Sequence, residues 1–181
     1  MVSRFCARCG QGLQERLLPG DHRVRRVCPA CGHVAYENAK PCAGVLPTRD
    51  GQVLLARRAV APYLGCWDII GGFMEHDETP HAAAVREAYE ETGLTLALIG
   101  LLGIYIDVYG SHGYSTLNIY YLARITDGQP SPADDVAELA WFYPDALPGN
   151  MAFPNHSYQV LSDWARWLRD GAAARSAPLP V

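Results

Sequence analysis

Apolar residues recur at every second position in several short runs of this chain, and at every third or fourth position in two longer ones. Residues 42–48 (CAGVLPT) and 53–58 (VLLARR) read as strands, and Asp50-Gly51 between them suits a two-residue hairpin turn. Residues 59–65 read as a loop. Thr79-Pro80 opens a helix, because Thr caps free N–H groups and Pro fits the first helical position. Gly93 closes it, since glycine takes the left-handed conformation at no steric cost. Between these ends Val85, Ala88, Tyr89 and Thr92 share one face, and Glu87, Glu90 and Glu91 gather on the opposite one. Strand patterning returns at 94–108, interrupted near Gly100 and Gly103, and again at 116–124 and 139–143. Within the first of these, alternation puts Tyr105, Asp107 and Tyr109 on one face. A second helix is predicted over 156–169, with Val160, Leu161, Trp164 and Leu168 aligned. Strands mixed with two well-separated helices predict an α/β sandwich over residues 42–170. The tail at 171–181 (GAAARSAPLPV) has the composition of a disordered segment.

The segment before this pattern is organised by cysteine. Cys6-Ala-Arg-Cys9 and Cys28-Pro-Ala-Cys31 are two CxxC pairs, each followed by a glycine. Four thiolates at this spacing close a tetrahedral shell around zinc with no open position, so the metal is expected to be structural. A segment of about 36 residues is too short to hold a core unaided, and the zinc would contribute most of its folding energy. Residues 1–36 are therefore read as a zinc ribbon, with 37–41 as linker. Two disulfides, or a redox CxxC, are the alternatives. Arg23, Arg25 and Arg26 form a small basic patch between the two pairs. The patch allows a nucleic-acid contact or a solvated hairpin, and a scaffolding ribbon is the favoured reading. Cys42 and Cys66 belong to neither pair and are read as packing residues.

Composition narrows the classes further. The 181 residues are 49% hydrophobic, enough for one ordinary domain plus a small appendage. A formal net charge of −4 argues against broad electrostatic binding to nucleic acid or membrane. The sequence has no apolar run of transmembrane length and no charged-then-apolar leader, so a cytoplasmic protein is expected.

The chemistry concentrates in Gly72 to Leu94, GFMEHDETPHAAAVREAYEETGL. Carboxylates at i, i+3 and i+4 repel one another, so a cation should occupy the face of Glu87, Glu90 and Glu91. Hard oxygen ligands in this number suit Mg²⁺ or Mn²⁺ together with substrate phosphates. Gly71-Gly72 would let backbone carbonyls approach such an ion. Arg86, one residue off that face, pairs with Glu90 at i+4. A solvated acidic helix face is the plainer alternative.

Gly72, Glu78, Arg86-Glu87, Glu90-Glu91, Thr92, Gly93 and Leu94 fill the fixed positions of a known pattern, and the chain resembles the Nudix hydrolases. Two positions depart mildly: Ala88 stands where a larger aliphatic is usual, and Ile70 where a proline often precedes the double glycine. The resemblance implies an α/β/α sandwich with a mixed sheet, preceded here by the ribbon. It implies Glu87, Glu90, Glu91 and the Gly72 carbonyl as ligands of a catalytic Mg²⁺ or Mn²⁺, with Arg86 tied back to Glu78. For the base that activates water it leaves Glu87 or a downstream loop glutamate, for which Glu138 is the candidate. An arginine closing the second strand often meets the substrate phosphate, and by alternation one of Arg57 and Arg58 would do so.

Members of the family hydrolyse a diphosphate linked to some other moiety and release a nucleoside monophosphate. An N-terminal ribbon occurs in NADH pyrophosphatases and related RNA-decapping enzymes, and in a group acting on ADP-ribose or FAD. The SQPWPFP motif of the first set is missing after the box, so ADP-ribose or FAD is favoured. NADH hydrolysis, RNA NAD-cap removal and a non-catalytic nucleotide-binding regulator remain as alternatives. Aromatic residues near the box, Trp67, Phe73 and Tyr114 above all, are candidates to stack on a base, and strand packing is the alternative. His112 is a weaker phosphate candidate. A homodimer is compatible with the resemblance, and a nucleic-acid partner is disfavoured.

Overall fold

The computed structural model describes residues 3–110 and 113–171. His112 and the tail after Gly171 lie outside the described residues. Strands β1 (Gln14–Leu17), β2 (Val24–Val27) and β3 (Val34–Ala35) form a small antiparallel sheet that follows the first cysteine pair and flanks the second. The remaining strands are β4 (Lys40–Arg49), β5 (Gln52–Arg58), β6 (Trp67–Asp68), β7 (Gly71–Phe73), β8 (Thr95–Val108), β9 (Ser115–Asp127) and β10 (Val136–Phe142). They form a mixed sheet of order β10-β5-β4-β9-β8, with β6 on β5 and β7 on β4. The β4–β9 pair is parallel and the other pairs antiparallel.

The hairpin at Asp50-Gly51 forms because both residues take positive φ, 51° and 76°, as the tight turn requires. In β8 the expected interruptions appear as register shifts between Leu98 and Gly100 and between Leu101 and Gly103, and the strand runs on through them. Two expectations move at strand ends. β4 begins at Lys40, inside the anticipated linker, because Lys40 pairs with Thr116 of β9. β10 begins at Val136, so Glu138 is a strand residue and not a loop residue.

Alternation along the strands divides the core into two layers. Val45, Leu54, Ala56, Tyr121 and Ala123 face α1 (Pro80–Thr92). Their neighbours Leu46, Val53, Leu55, Tyr120 and Leu122 face α2 (Pro154–Asp170), where Val160, Leu161 and Trp164 are fully buried. This is the sandwich expected from the pattern. Among the described residues no helix is long and apolar enough to cross a membrane.

α1 starts and stops as its sequence dictates. The Thr79 side chain accepts from the Ala82 N–H, Pro80 is the first residue, and Gly93 takes φ 69° and donates its N–H to the Tyr89 carbonyl. Its buried face differs from the expected one. Ala83, Ala84, Ala88 and Thr92 are buried, while Tyr89 is 62% exposed. At about 100° per residue, turning small alanines to the sheet carries Tyr89 outward and brings Glu91 inward.

β4 and β5 pair only at their hairpin end, Thr48–Val53 and Arg49–Gln52. Beyond it β4 takes β7 as partner and β5 takes β6. The sheet opens there, and side chains from both layers reach one cavity.

Candidate active site

The cavity in this opening has a volume of about 280 Å³. On one side it is lined by Gly71, Gly72, Glu87 and Glu91, together with Asp68, Asp134 and Asp135. Thr116, Asn118, Tyr120 and His156 line it elsewhere, with Phe73, Tyr109 and Phe153 as aromatic walls.

The double glycine is required by close approach. A Cβ on Gly72 would lie 2.7 Å from the Glu87 carboxylate, and one on Gly71 would lie 2.5 Å from the Ala43 carbonyl oxygen. The Gly71 N–H donates to Glu91 Oε2 at 3.2 Å. Arg86 braces the approach to the cavity. Its Nη2 donates to Glu78 Oε1 at 2.6 Å and to the Phe73 carbonyl at 3.2 Å, and its Nη1 donates to Glu87 and Glu90, each at 2.9 Å. Glu78 in turn accepts the Glu75 N–H, so loop and helix are clamped together.

Electrostatics here favour a cation. Burial raises the Glu91 pKa well above the ordinary carboxylate value, and the charges of Asp135, Asp68 and Glu87 add to it. Burial also raises Glu87, against the opposing hydrogen bond from Arg86. Asp68 is pushed up to about 6 by burial although Arg58 Nη1 donates to it at 3.0 Å. Glu87, Glu91 and the Gly72 backbone are the groups here that could hold a divalent ion.

The structure separates the residues expected to act together. Glu90 does not line the cavity; it is half exposed and held by Arg86. Glu87 and Glu91, four apart, lie on one helical stripe, and Glu90 is rotated away from it. Glu138 lies outside the cavity lining, bound to Arg57 at 2.9 Å on neighbouring strands and half exposed. Of the two arginines, Arg58 faces the cavity, with Asp68 and the Pro62 carbonyl as partners, and Arg57 points to the other face. Trp67 packs edge-on to Phe142 within the α2 layer and does not line the cavity. Phe73 does line it, tilted against Tyr109 at 5.3 Å and Tyr114 at 6.0 Å. Tyr114 lies behind that wall, under the Lys40 ammonium at 4.3 Å.

Sequence reasoning passed over Asp68, Asp134, Asp135, Asn118 and His156. The adjacent acids at 134–135, just before a strand, were the one local signal available. The others carry none, because they converge from separate elements.

At the other end of the chain, Cys6, Cys9, Cys28 and Cys31 place their sulfurs within 4.8 Å of one another. The distances Cys6–Cys31, Cys9–Cys28 and Cys9–Cys31 are 3.6, 3.5 and 3.6 Å. A tetrahedron with bonds of 2.3 Å has edges of about 3.8 Å, so the set fits one zinc-sized ion and contains no disulfide. The two knuckles match: Gly10 and Gly32 have φ 74° and 72° and donate back to the carbonyls of Cys6 and Cys28.

Comparison with known proteins agrees with this geometry. The family profile described as NUDIX domain matches residues 39–163, and the profile of the Nudix N-terminal zinc ribbon matches 4–37. An ADP-ribose pyrophosphatase of Methanocaldococcus jannaschii is 33% identical over 66% of this chain and 69% of its own length. The NAD-capped RNA hydrolase NudC of Pseudomonas aeruginosa is 34% identical over 81% of this chain, which spans only 50% of that protein. A crystal structure of a Nudix hydrolase from Nitrosomonas europaea superposes with a TM-score of 0.77 at 30% identity, covering 93% of this chain and 92% of that one.

Proposed function

The chain belongs to the Nudix hydrolases, and from that premise we propose that it cleaves the diphosphate of ADP-ribose or FAD, releasing AMP. The observation that carries this reading is the convergence of Glu87, Glu91 and the Gly71-Gly72 backbone in a cavity that also has aromatic walls. Glu87, Glu91 and the Gly72 carbonyl would hold Mg²⁺ or Mn²⁺, which neutralises phosphate charge and activates a water. Glu90 joins them only by releasing Arg86. Arg86 and Glu78 keep the glycine turn and the helix in register. Glu87, buried against Gly72 and inside the cavity, is better placed than Glu138 to take the proton of that water. The four cysteines hold zinc as a structural ion.

ADP-ribose is favoured by the similarity to the Methanocaldococcus ADP-ribose pyrophosphatase and by the missing SQPWPFP motif. The similarity to NudC keeps cap removal from RNA as the second reading. The ribbon arginines give that reading little support, because Arg25 is paired with Asp21, and Arg26 with Glu15 and Glu37.

The test is a turnover screen with Mg²⁺ and then Mn²⁺, using ADP-ribose, FAD, NADH, NAD⁺, sugar nucleotides and NAD-capped RNA, with products identified by mass. AMP from ADP-ribose or FAD well ahead of the rest is expected. A preference for NADH or capped RNA overturns the substrate reading. No turnover by folded, zinc-loaded protein overturns the activity.

A further inference from the structure

A chain of buried polar groups lies across the cavity from the box. Asp107 of β8, His156 of α2 and Tyr120 of β9 are 3%, 3% and 7% exposed. His156 Nδ1 lies 2.6 Å from Asp107 Oδ2, and Nε2 lies 2.8 Å from the Tyr120 hydroxyl. Asp107 Oδ1 also accepts from Asn155 Nδ2 at 2.9 Å and from the Val108 N–H at 2.6 Å.

Donor counting sets the direction of every proton in this chain. Burial alone would raise the Asp107 pKa, but hydrogen bonds from His156, Asn155 and Val108 outweigh it and keep the carboxyl ionised. Burial lowers the His156 pKa despite the Asp107 charge, which favours the neutral ring. An ionised carboxylate only accepts, so the imidazole carries its proton on Nδ1. The bare Nε2 must then accept the single phenolic proton of Tyr120. What Tyr120 has left is oxygen lone pairs.

Asn118, two residues away on the same strand face, is committed the same way. Its Nδ2 donates to Thr116 Oγ1 at 3.0 Å and to the Tyr105 carbonyl at 3.4 Å. The carbonyl acceptor at Tyr105 fixes the amide orientation, and Oδ1 has no donor among the described residues.

We propose that Asn118 and Tyr120, the latter aimed by His156 and Asp107, form a paired-acceptor floor that selects a hydroxyl-bearing sugar of the substrate. Tyr120 and Asn118 are the specificity-determining residues; His156 and Asp107 are positioning residues that act through Tyr120. The two acceptors come from residues about 7 Å apart along one strand face, and a pair of acceptors suits the hydroxyls of a sugar ring. They disfavour a phosphate or carboxylate, which brings acceptors of its own. The floor deepens the proposed function, since it rests on a diphosphate-linked sugar as substrate.

The test is calorimetric binding of ADP-ribose and its deoxy analogues, lacking a hydroxyl on either ribose, without added divalent ion. Wild type should bind ADP-ribose about three- to tenfold more tightly than the analogues of one ring, the loss expected for one hydrogen bond. An analogue carrying phosphate on that hydroxyl should bind more weakly still. Tyr120→Phe should bind ADP-ribose and the analogue lacking the hydroxyl that Tyr120 accepts equally, while the hydroxyl accepted by Asn118 is still discriminated. Asp107→Asn should keep the preference over the deoxy analogues, since a sugar hydroxyl accepts as well as donates. It should bind the phosphate-bearing analogue more tightly than wild type does, because an amide donating to Nδ1 moves the ring proton to Nε2 and turns the phenol into a donor. A purely structural role would lower all affinities together and leave their ratio unchanged. Equal wild-type affinities, no measurable binding, or Tyr120→Phe retaining the full wild-type discrimination at every hydroxyl overturns the proposal; the first two need no variant to fold. Binding is read without turnover. A chain that discriminates but hydrolyses nothing refutes the activity and keeps the floor, and turnover with a flat series does the reverse.

Discussion

At the scale of single residues, the site is governed by where α1 turns its carboxylates. Glu91 sits among three other acids and is 8% exposed, so its ionisation opposes folding until a cation arrives. Because its folded pKa lies above the unfolded value, its stabilising contribution is full below the ordinary glutamate range. That contribution is lost as pH rises through the raised value. Glu91→Gln should therefore raise the metal-free Tm at pH 8 by about 2–4 °C, the shift that roughly 1 kcal/mol produces in a chain of this size. The gain should vanish near pH 4. The same variant should lose about a hundredfold or more in kcat, since a ligand and its charge are gone. Calorimetry across pH and steady-state rates check the two halves separately. Glu138→Gln is the contrasting case. Its partner Arg57 is half exposed like itself, so the pair is worth about 0–1 kcal/mol. The rate should change less than about threefold; a loss of a hundredfold would restore Glu138 as the base. That Glu87 and Glu91 share a helical face was legible from their spacing. The placement of Glu138 outside the cavity lining was not, because it depends on a cross-strand partner 81 residues earlier.

At the scale of elements, α2 does more than cover the sheet. It buries Val160, Leu161 and Trp164, and the Trp164 Nε1–H donates to Thr48 Oγ1 at 3.0 Å. Its first turn delivers Asn155 and His156 to Asp107. Trp164→Ala should cost about 3–5 kcal/mol in denaturant unfolding through the cavity it leaves. The periodicity of Val160, Leu161, Trp164 and Leu168 was enough to locate this helix. The face of α1 was misread, because an aromatic looks like a core residue and an alanine does not. Small residues, Ala83, Ala84, Ala88 and Thr92, fill the face toward the sheet, and Tyr89 lies outside it.

At the scale of the whole molecule, two small structural problems are solved by different means. The seven-stranded sheet holds itself together through two apolar layers. Among its described residues the ribbon buries little beyond Cys6, Val27 and Cys28, and its stability has to come from the four sulfurs. Cys28→Ser should reduce bound zinc from one per chain to none by elemental analysis and remove the ribbon's amide dispersion. The signals of the seven-stranded sheet should remain. Retention of a full equivalent of zinc would mean that three thiolates suffice.

The sequence by itself determined what is local. Cysteine spacing, the caps of α1, the Asp50-Gly51 turn, the strand and helix periods and the glutamates of the box all act within a few residues, so their chemistry is written in order along the chain. Tertiary structure decided what depends on distant segments meeting. Asp68, Asp134 and Asp135 come from separate loops and strands and meet Glu91 only where β4 and β5 part. The proton direction along Asp107, His156 and Tyr120 exists only because β8, β9 and α2 bury three ordinary residues within hydrogen-bond reach. No spacing rule encodes that meeting, since hydrogen bonding there depends on position in space and not on separation along the chain.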